Sequence, residues 1–345
     1  MKRTMRISFT LIFLVMISCN SGNNEKFDLE IKPIITGITN SLRGLSVVDE
    51  NVVWASGTAG IFLITNDGGL HWKIDSVPGA AKLDFRSIKA FDDKTAFVAS
   101  AGTPATIYKT TDGGITWTEK FRSNDPAIFF DAIAFWDEKT GIVMGDPVDK
   151  HLFLLKTTDG GENWNRISPR KIPESREVEG GFAASGTCMT IQDTQNAWIG
   201  TGGEKAGIYY SSDKGESWQW VETPLLCGST MRGIYSVAFK NTLEGIAAGG
   251  EWNVEKPSKS RAFTTDGGHT WILGSGVDSY CSGSCYVGDN VFLTCGQSGI
   301  DLSTDGGKNW KNIDKTNLHG IAFCKTGKTG YASGENGLLL KLYLR

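Results

Sequence analysis

The segment Thr110–Trp117 reads TTDGGITW, and five other stretches carry nearly the same eight letters. They are TNDGGLHW from Thr65, TTDGGENW from Thr157, SSDKGESW from Ser211, TTDGGHTW from Thr264 and STDGGKNW from Ser303. The aspartates of these octets (Asp67, Asp112, Asp159, Asp213, Asp266 and Asp305) follow one another at intervals of 45, 47, 54, 53 and 39 residues. A period of about 40–50 residues filled with short strands is a propeller signature. The second period shows the pieces: FRSIKAF (Phe85–Phe91), TAFVASA (Thr95–Ala101), TIYKTT (Thr106–Thr111) and TWTEKF (Thr116–Phe121). All are short, rich in β-branched and aromatic residues, and bounded by turn formers, as strands are.

The octet falls between the third and fourth pieces, so it is expected to be a hairpin turn. The aspartate accepts bonds from backbone N–H groups downstream of it, and the glycines permit positive φ where the chain reverses. The leading Ser or Thr adds a hydroxyl bond, and the tryptophan is expected to begin the outer strand. The octet resembles the Asp-box, or bacterial neuraminidase repeat. Nothing in it supplies a nucleophile or a ligand pocket, so it reads as a structural joint. A seventh unit, Leu318–Arg345, holds three strands and no octet, while FDLEIKPI (Phe27–Ile34) is strand-like and unpaired. Pairing the two gives an all-β, seven-bladed propeller of four-stranded antiparallel blades over residues 27–345, with no open edge at the seam.

With 345 residues, 40% of them hydrophobic and 21% charged, the chain has the make-up of a packed domain rather than a disordered one. A net charge of −3 argues against nucleic-acid binding. Residues 1–18 read as a signal segment: Lys2, Arg3 and Arg6 precede the apolar run ISFTLIFLVMIS (Ile7–Ser18). That run ends at MISC, which resembles a bacterial lipobox with Cys19 as the lipidated residue. Residues 19–26, including NSGNNEK (Asn20–Lys26), read as a flexible tether. The protein is therefore expected in the cell envelope, joined to a membrane only through its lipid. The other cysteines (188, 227, 281, 285, 295 and 324) include no CxxC pair; an oxidising envelope would allow one or two disulfides of unassigned connectivity, and most are expected as buried thiols.

In such a ring the first strands begin at the channel mouth, on the face opposite the octets. Aligned units put Arg43, Arg86, Asp131, Thr187, Arg232, Ser282 and His319 at that position. Three arginines and a histidine suit an anion or carboxylate; equally, they serve to bond channel carbonyls or to pair with Asp131. The same face gathers Asp146, Glu204, Glu251 and Glu335 after the second strands, as turn residues, arginine partners or acid–base groups. The long connections 169–186 and 251–261 also belong there, and Trp252 is a tryptophan without an evident core role. No GxGxxG, P-loop, HExxH or GxSxG motif is present, so no cofactor, metal ligand or catalytic residue is assigned.

From Phe27 onward the chain resembles the photosystem II stability and assembly factor family of seven-bladed propellers. The boxes, the approaches GTAGIFLIT, GQSGIDLST and GENGLLLK, and the first-strand arginines carry the resemblance. It implies a non-catalytic, chaperone-like protein-binding scaffold with a basic patch, to which Arg43, Arg86 and Arg232 correspond. The two inserts and the lipoprotein signal depart from the photosynthetic pattern. The competing expectation is a sialidase-like glycoside hydrolase or a glycan-binding propeller. A sialidase needs an arginine triad and a tyrosine–glutamate pair, for which Tyr280, Tyr286 and Tyr331 are the available tyrosines; no FRIP-like segment precedes the first box. A monomer with a protein partner is the favoured reading.

Overall fold

The computed structural model describes Phe27, residues 29–254 and residues 256–344. The expected signal segment, Cys19 and the tether lie outside the described residues. Antiparallel sheet dominates, and the described residues include one short 3-10 helix, Pro169–Lys171, in the first long connection. Each octet organises its hairpin as its residue types dictate. Thr110 Oγ1 donates to Asp112 Oδ1 at 2.9 Å and accepts the Gly114 N–H at 3.0 Å, while Asp112 Oδ1 accepts the Thr116 N–H at 2.9 Å. The same three bonds recur in the other five octets. The second glycine is also a close approach: a Cβ on Gly114, at φ 73°, would enter the Phe62 ring of the preceding sheet.

One expectation shifts. The fourth strand of the second unit is Thr118–Ser123, so Trp117 precedes it rather than opening it. Its ring turns inward onto the preceding sheet instead, meeting Phe62 at 5.2 Å and Trp54 edge-on at 6.3 Å. Trp164 does the same against Phe97 of the preceding sheet and also meets Phe135 of its own sheet. The octet is thus a joint between sheets as well as within one, because a large apolar ring gains more from the inter-sheet core than from the solvated outer strand.

Five sheets have four strands each, and one eight-stranded sheet covers residues 189–273. In the latter, the end of Asn196–Gly203 bonds the start of Ser229–Phe239 (Gly202 opposite Gly233), which fuses two units edge to edge. The first strands are Leu42–Val47, Asp84–Ala90, Phe130–Phe135, Met189–Gln192, Ser229–Phe239, Gly283–Gly288 and Gly320–Phe323. Each packs on the next, and the last packs on the first. Apolar cores fill the spaces between sheets; Trp54 and Phe62 of one sheet meet Phe85, Val98 and Tyr108 of its neighbour. Leu29–Ile34 pairs antiparallel with Leu339–Leu344, Ile31 opposite Leu342, and Phe27, Leu29 and Ile31 pack onto the core around Leu318 and Leu340. Cys188, Cys227, Cys281, Cys285, Cys295 and Cys324 are all free thiols.

The two faces are distinct. Octet glycines donate to the first hairpin of their own sheet, as in Gly68 to Asn51, Gly113 to Lys94 and Gly160 to Lys139. Octets and first hairpins therefore share one face, and the starts of the first strands lie on the other.

Candidate functional site

On the face opposite the octets, a cavity of about 530 Å³ opens over the inner strands. Of the side chains expected there, Arg43, Arg86, Asp131, Asp146, Trp252, His319 and Glu335 line it. Arg232, Glu204 and Glu251 do not line it. Arg232 Nε lies 2.6 Å from Glu251 Oε2, so each neutralises the other, and Glu204 is exposed in its turn. Thr187 and Ser282 are taken up by bonds between neighbouring units instead: Thr187 Oγ1 bonds Ser236 Oγ at 2.7 Å, and Ser282 Oγ donates to the His319 carbonyl at 2.8 Å.

The long connection 169–186 does more than border the site: it forms its floor. Arg43 Nη1 donates to the Ala184 carbonyl at 3.1 Å and Arg86 Nη1 to the Ala183 carbonyl at 3.4 Å. The Phe182 ring stacks on Tyr235 at 3.8 Å, and Tyr235 meets Tyr280 edge-on at 4.9 Å. One end of the segment is held by Glu179, whose buried carboxylate accepts from Thr201 Oγ1 at 2.6 Å, the Arg176 N–H at 2.7 Å and Tyr209 OH at 3.2 Å. The Arg176 guanidinium lies 3.5 Å over the Trp220 ring. The other end is held by Ser185 Oγ, which donates to the Ser282 carbonyl at 2.7 Å. Apart from the Arg176–Glu179 bond, which spans three residues, these contacts have no sequence signature, since each joins positions far apart in the chain.

Gly181 fits because it has no side chain. Its N–H donates to Asp146 Oδ1 at 2.9 Å, and a Cβ would press on Asp131 Oδ2 and enter Met144. The Asp131 carboxyl beneath it is buried, with the Ala183 N–H turned toward it but no hydrogen bond of good geometry to either oxygen. Burial, and then the neighbouring Asp146, push its carboxyl well above the usual carboxylate range, against the pull of Arg86. Asp146 is pushed up by burial and restrained by the Gly181 N–H. Burial, helped by Arg43 and Arg86, lowers His319 to about 4, so its ring is neutral near pH 7. Glu335 Oε1 lies 3.8 Å from His319 Nε2.

The expected ring of three arginines and a histidine is thus two arginines beside a neutral imidazole. Arg86 also donates from Nε to Asp84 Oδ2 at 2.6 Å. Two convergent guanidinium groups with an aromatic wall suit a carboxylate or another planar anion. Tyr280 lines the same cavity, whereas Tyr286 and Tyr331 do not. Among the described residues, no group of three or more His, Cys, Asp or Glu side chains is placed to hold a metal ion.

A family model described as Photosynthesis system II assembly factor YCF48 matches residues 100–179. No curated protein matches the chain by sequence. Among solved structures, YCF48 bound to a D1 peptide superposes with a TM-score of 0.65 at 18% identity, covering 91% of this chain and 96% of that one. YCF48 from Cyanidioschyzon merolae superposes equally, at 0.65 and 18%, covering 91% and 98%. The GH74 xyloglucanase from Xanthomonas campestris gives 0.62 at 12% identity, over 90% of this chain and 53% of the enzyme. The all-β chain of antiparallel four-stranded sheets therefore has a YCF48-like β-propeller fold.

Proposed function

We propose that this chain is a lipid-anchored envelope protein that captures a protein partner, without catalysis, through the cavity opposite the octets. The observation that carries the reading is the convergence of Arg43 and Arg86 beside exposed Trp252 at one mouth. Each guanidinium keeps donors beyond those taken up by Ala183, Ala184 and Asp84. A D1 peptide held by a YCF48 of the same fold supports a peptide as the occupant. The architecture is read as seven blades, two of them fused in the eight-stranded sheet, with the N-terminal strand completing the last. The cyclic packing of the first strands and the pairing of Leu29–Ile34 with Leu339–Leu344 support that reading. The octets are Asp-boxes acting as joints, Cys19 carries the lipid after removal of residues 1–18, and the protein is a monomer.

Pull-down from solubilised envelopes tests the capture. The parent is expected to retain a defined partner, and the chain with Arg43→Ala and Arg86→Ala to lose it while melting normally. Equal capture by the two would refute the reading. Assay on a glycoside panel separates the competing class: turnover abolished by Arg43→Ala would make the cavity an active site. Removal of residues 27–34 is expected to expose the edge of Leu339–Leu344 and cause aggregation; a truncated chain that stays monomeric would refute the closure.

A further inference from the structure

Strand polarity decides which face of the molecule meets a membrane. In the last sheet the third strand ends at Leu344, whose N–H donates to the Lys328 carbonyl in that sheet's first hairpin. First hairpins lie with the octets, so Leu344 marks the octet face. Leu29 pairs with Leu344, and Ile34 with Leu339 at the other end. The chain therefore enters the fold on the octet face, where half-buried Phe27 fixes it against the core. Only Asn20–Lys26 separates Cys19 from Phe27, and a stretch of that length reaches at most about 30 Å.

The octet beside this entry point is the first. Lys341 of the paired strand donates to the Gly68 carbonyl, and Trp72 meets Tyr331 at 6.0 Å. The second octet follows it, bridged by Lys73 Nζ, which donates to the Gly113 and Gly114 carbonyls at 3.1 and 3.2 Å. The turn residue after the second octet glycine is Leu70 in the first and Ile115 in the second, 79% and 74% exposed. In the octets further round it is Glu162, Glu216, His269 and Lys308. Apolar tips are thus confined to the two successive octets beginning at the entry point. Leu243 adds an exposed apolar side chain elsewhere on the same face.

We propose that the octet face is the membrane-facing side of the protein, with Leu70 and Ile115 seated in the lipid surface and the cavity directed away from it. The proposal rests on the lipid anchor at Cys19 stated above. The cavity face also exposes apolar side chains, among them Trp252 and Val178. To lay that face on the bilayer the tether would have to climb the height of a strand, about 17–20 Å, which is most of its reach. Tips of this kind settle at headgroup depth, where loop backbone stays hydrated.

The test uses the full lipidated chain purified from membranes and reconstituted into phosphatidylethanolamine–phosphatidylglycerol vesicles containing doxyl-labelled lipid. Leu70→Cys, Ile115→Cys or Trp252→Cys, each with Cys227→Ser, receives a bimane label; the Cys227→Ser chain alone is the labelling blank. The expected result is a blue shift and strong quenching at positions 70 and 115, with neither at 252. Quenching at 252 equal to or above that at 70 in a chain that floats with the vesicles would overturn the orientation alone. Cross-linking from position 70 to a second protein, with no lipid quenching, would likewise overturn it. A chain that leaves the vesicles on flotation and carries no acyl mass on its N-terminus overturns the anchor and the orientation together. That result leaves the arginine-dependent capture standing.

Discussion

The two faces of this propeller are built by different rules. On the octet face every defining bond is local: Ser211 Oγ to Asp213 Oδ1 at 2.8 Å, and the Ser217 N–H to the same oxygen at 2.9 Å. The pattern repeats six times, and each copy is complete within eight residues. On the cavity face almost nothing is local. Arg43 reaches Ala184, 141 residues away, and Ser185 reaches Ser282, 97 residues away. Local bonding can be copied from unit to unit, so it makes a scaffold. Non-local bonding occurs once, so it makes a site.

The contrast breaks first, and hardest, at the arginines. Arg43→Ala with Arg86→Ala is expected to weaken partner capture by roughly 2–5 kcal/mol, read by calorimetry, with the parent's affinity falling as salt rises. Arg232→Ala, paired away to Glu251, should change capture far less. If it weakens capture as much as the double variant, the partner surface extends beyond the cavity.

A substitution at the floor comes next. Gly181→Leu forces a side chain into Asp131 and Met144, so denaturant unfolding should show a loss of about 1–3 kcal/mol from overpacking. Capture should fall further than stability explains, because the carbonyls of Ala183 and Ala184 move with the segment. Unchanged capture would mean that the floor is not part of the site.

On the other face, Asp213→Ala should cost roughly 1–2 kcal/mol in unfolding free energy through the lost turn bonds, and leave capture unaltered. Weaker capture without a stability loss would make the octets recognition elements, and the distinction between the faces would fail.

The smallest effect expected is a slope. In the unfolded chain His319 takes up a proton near its ordinary 6.5, whereas the folded chain withholds it until about 4. The unfolded state thus binds more protons between these values, and stability falls as pH drops through that window. Melting curves of His319→Gln should show a shallower loss over the same range than the parent. Parallel losses would assign the acid sensitivity to other groups.

The repeat alone determined the strand count per unit and the octet hairpins, because those depend on short-range turn chemistry and alternating burial; the partner of Leu29–Ile34 followed from counting, since the last unit was one strand short. The first-strand alignment gave Arg43, Arg86, Asp131, Thr187, Arg232, Ser282 and His319 equivalent positions in the repeat, and in the structure Arg43, Arg86, Asp131 and His319 line one cavity while the other three do not. Only the tertiary structure decided what those residues do there. Trp117 left its expected strand for the inter-sheet core, where an apolar ring loses more water contact. Arg232 went to Glu251 because Glu251 opposes it across the adjoining strands. The segment 180–185 entered the mouth because Glu179 and Ser185 fix its ends and Gly181 alone fits over Asp131. His319 lost its charge to burial and to two neighbouring guanidinium groups. Each of these outcomes is set by what lies within a few ångströms in space, and positions so far apart in sequence carry no pattern that announces the meeting.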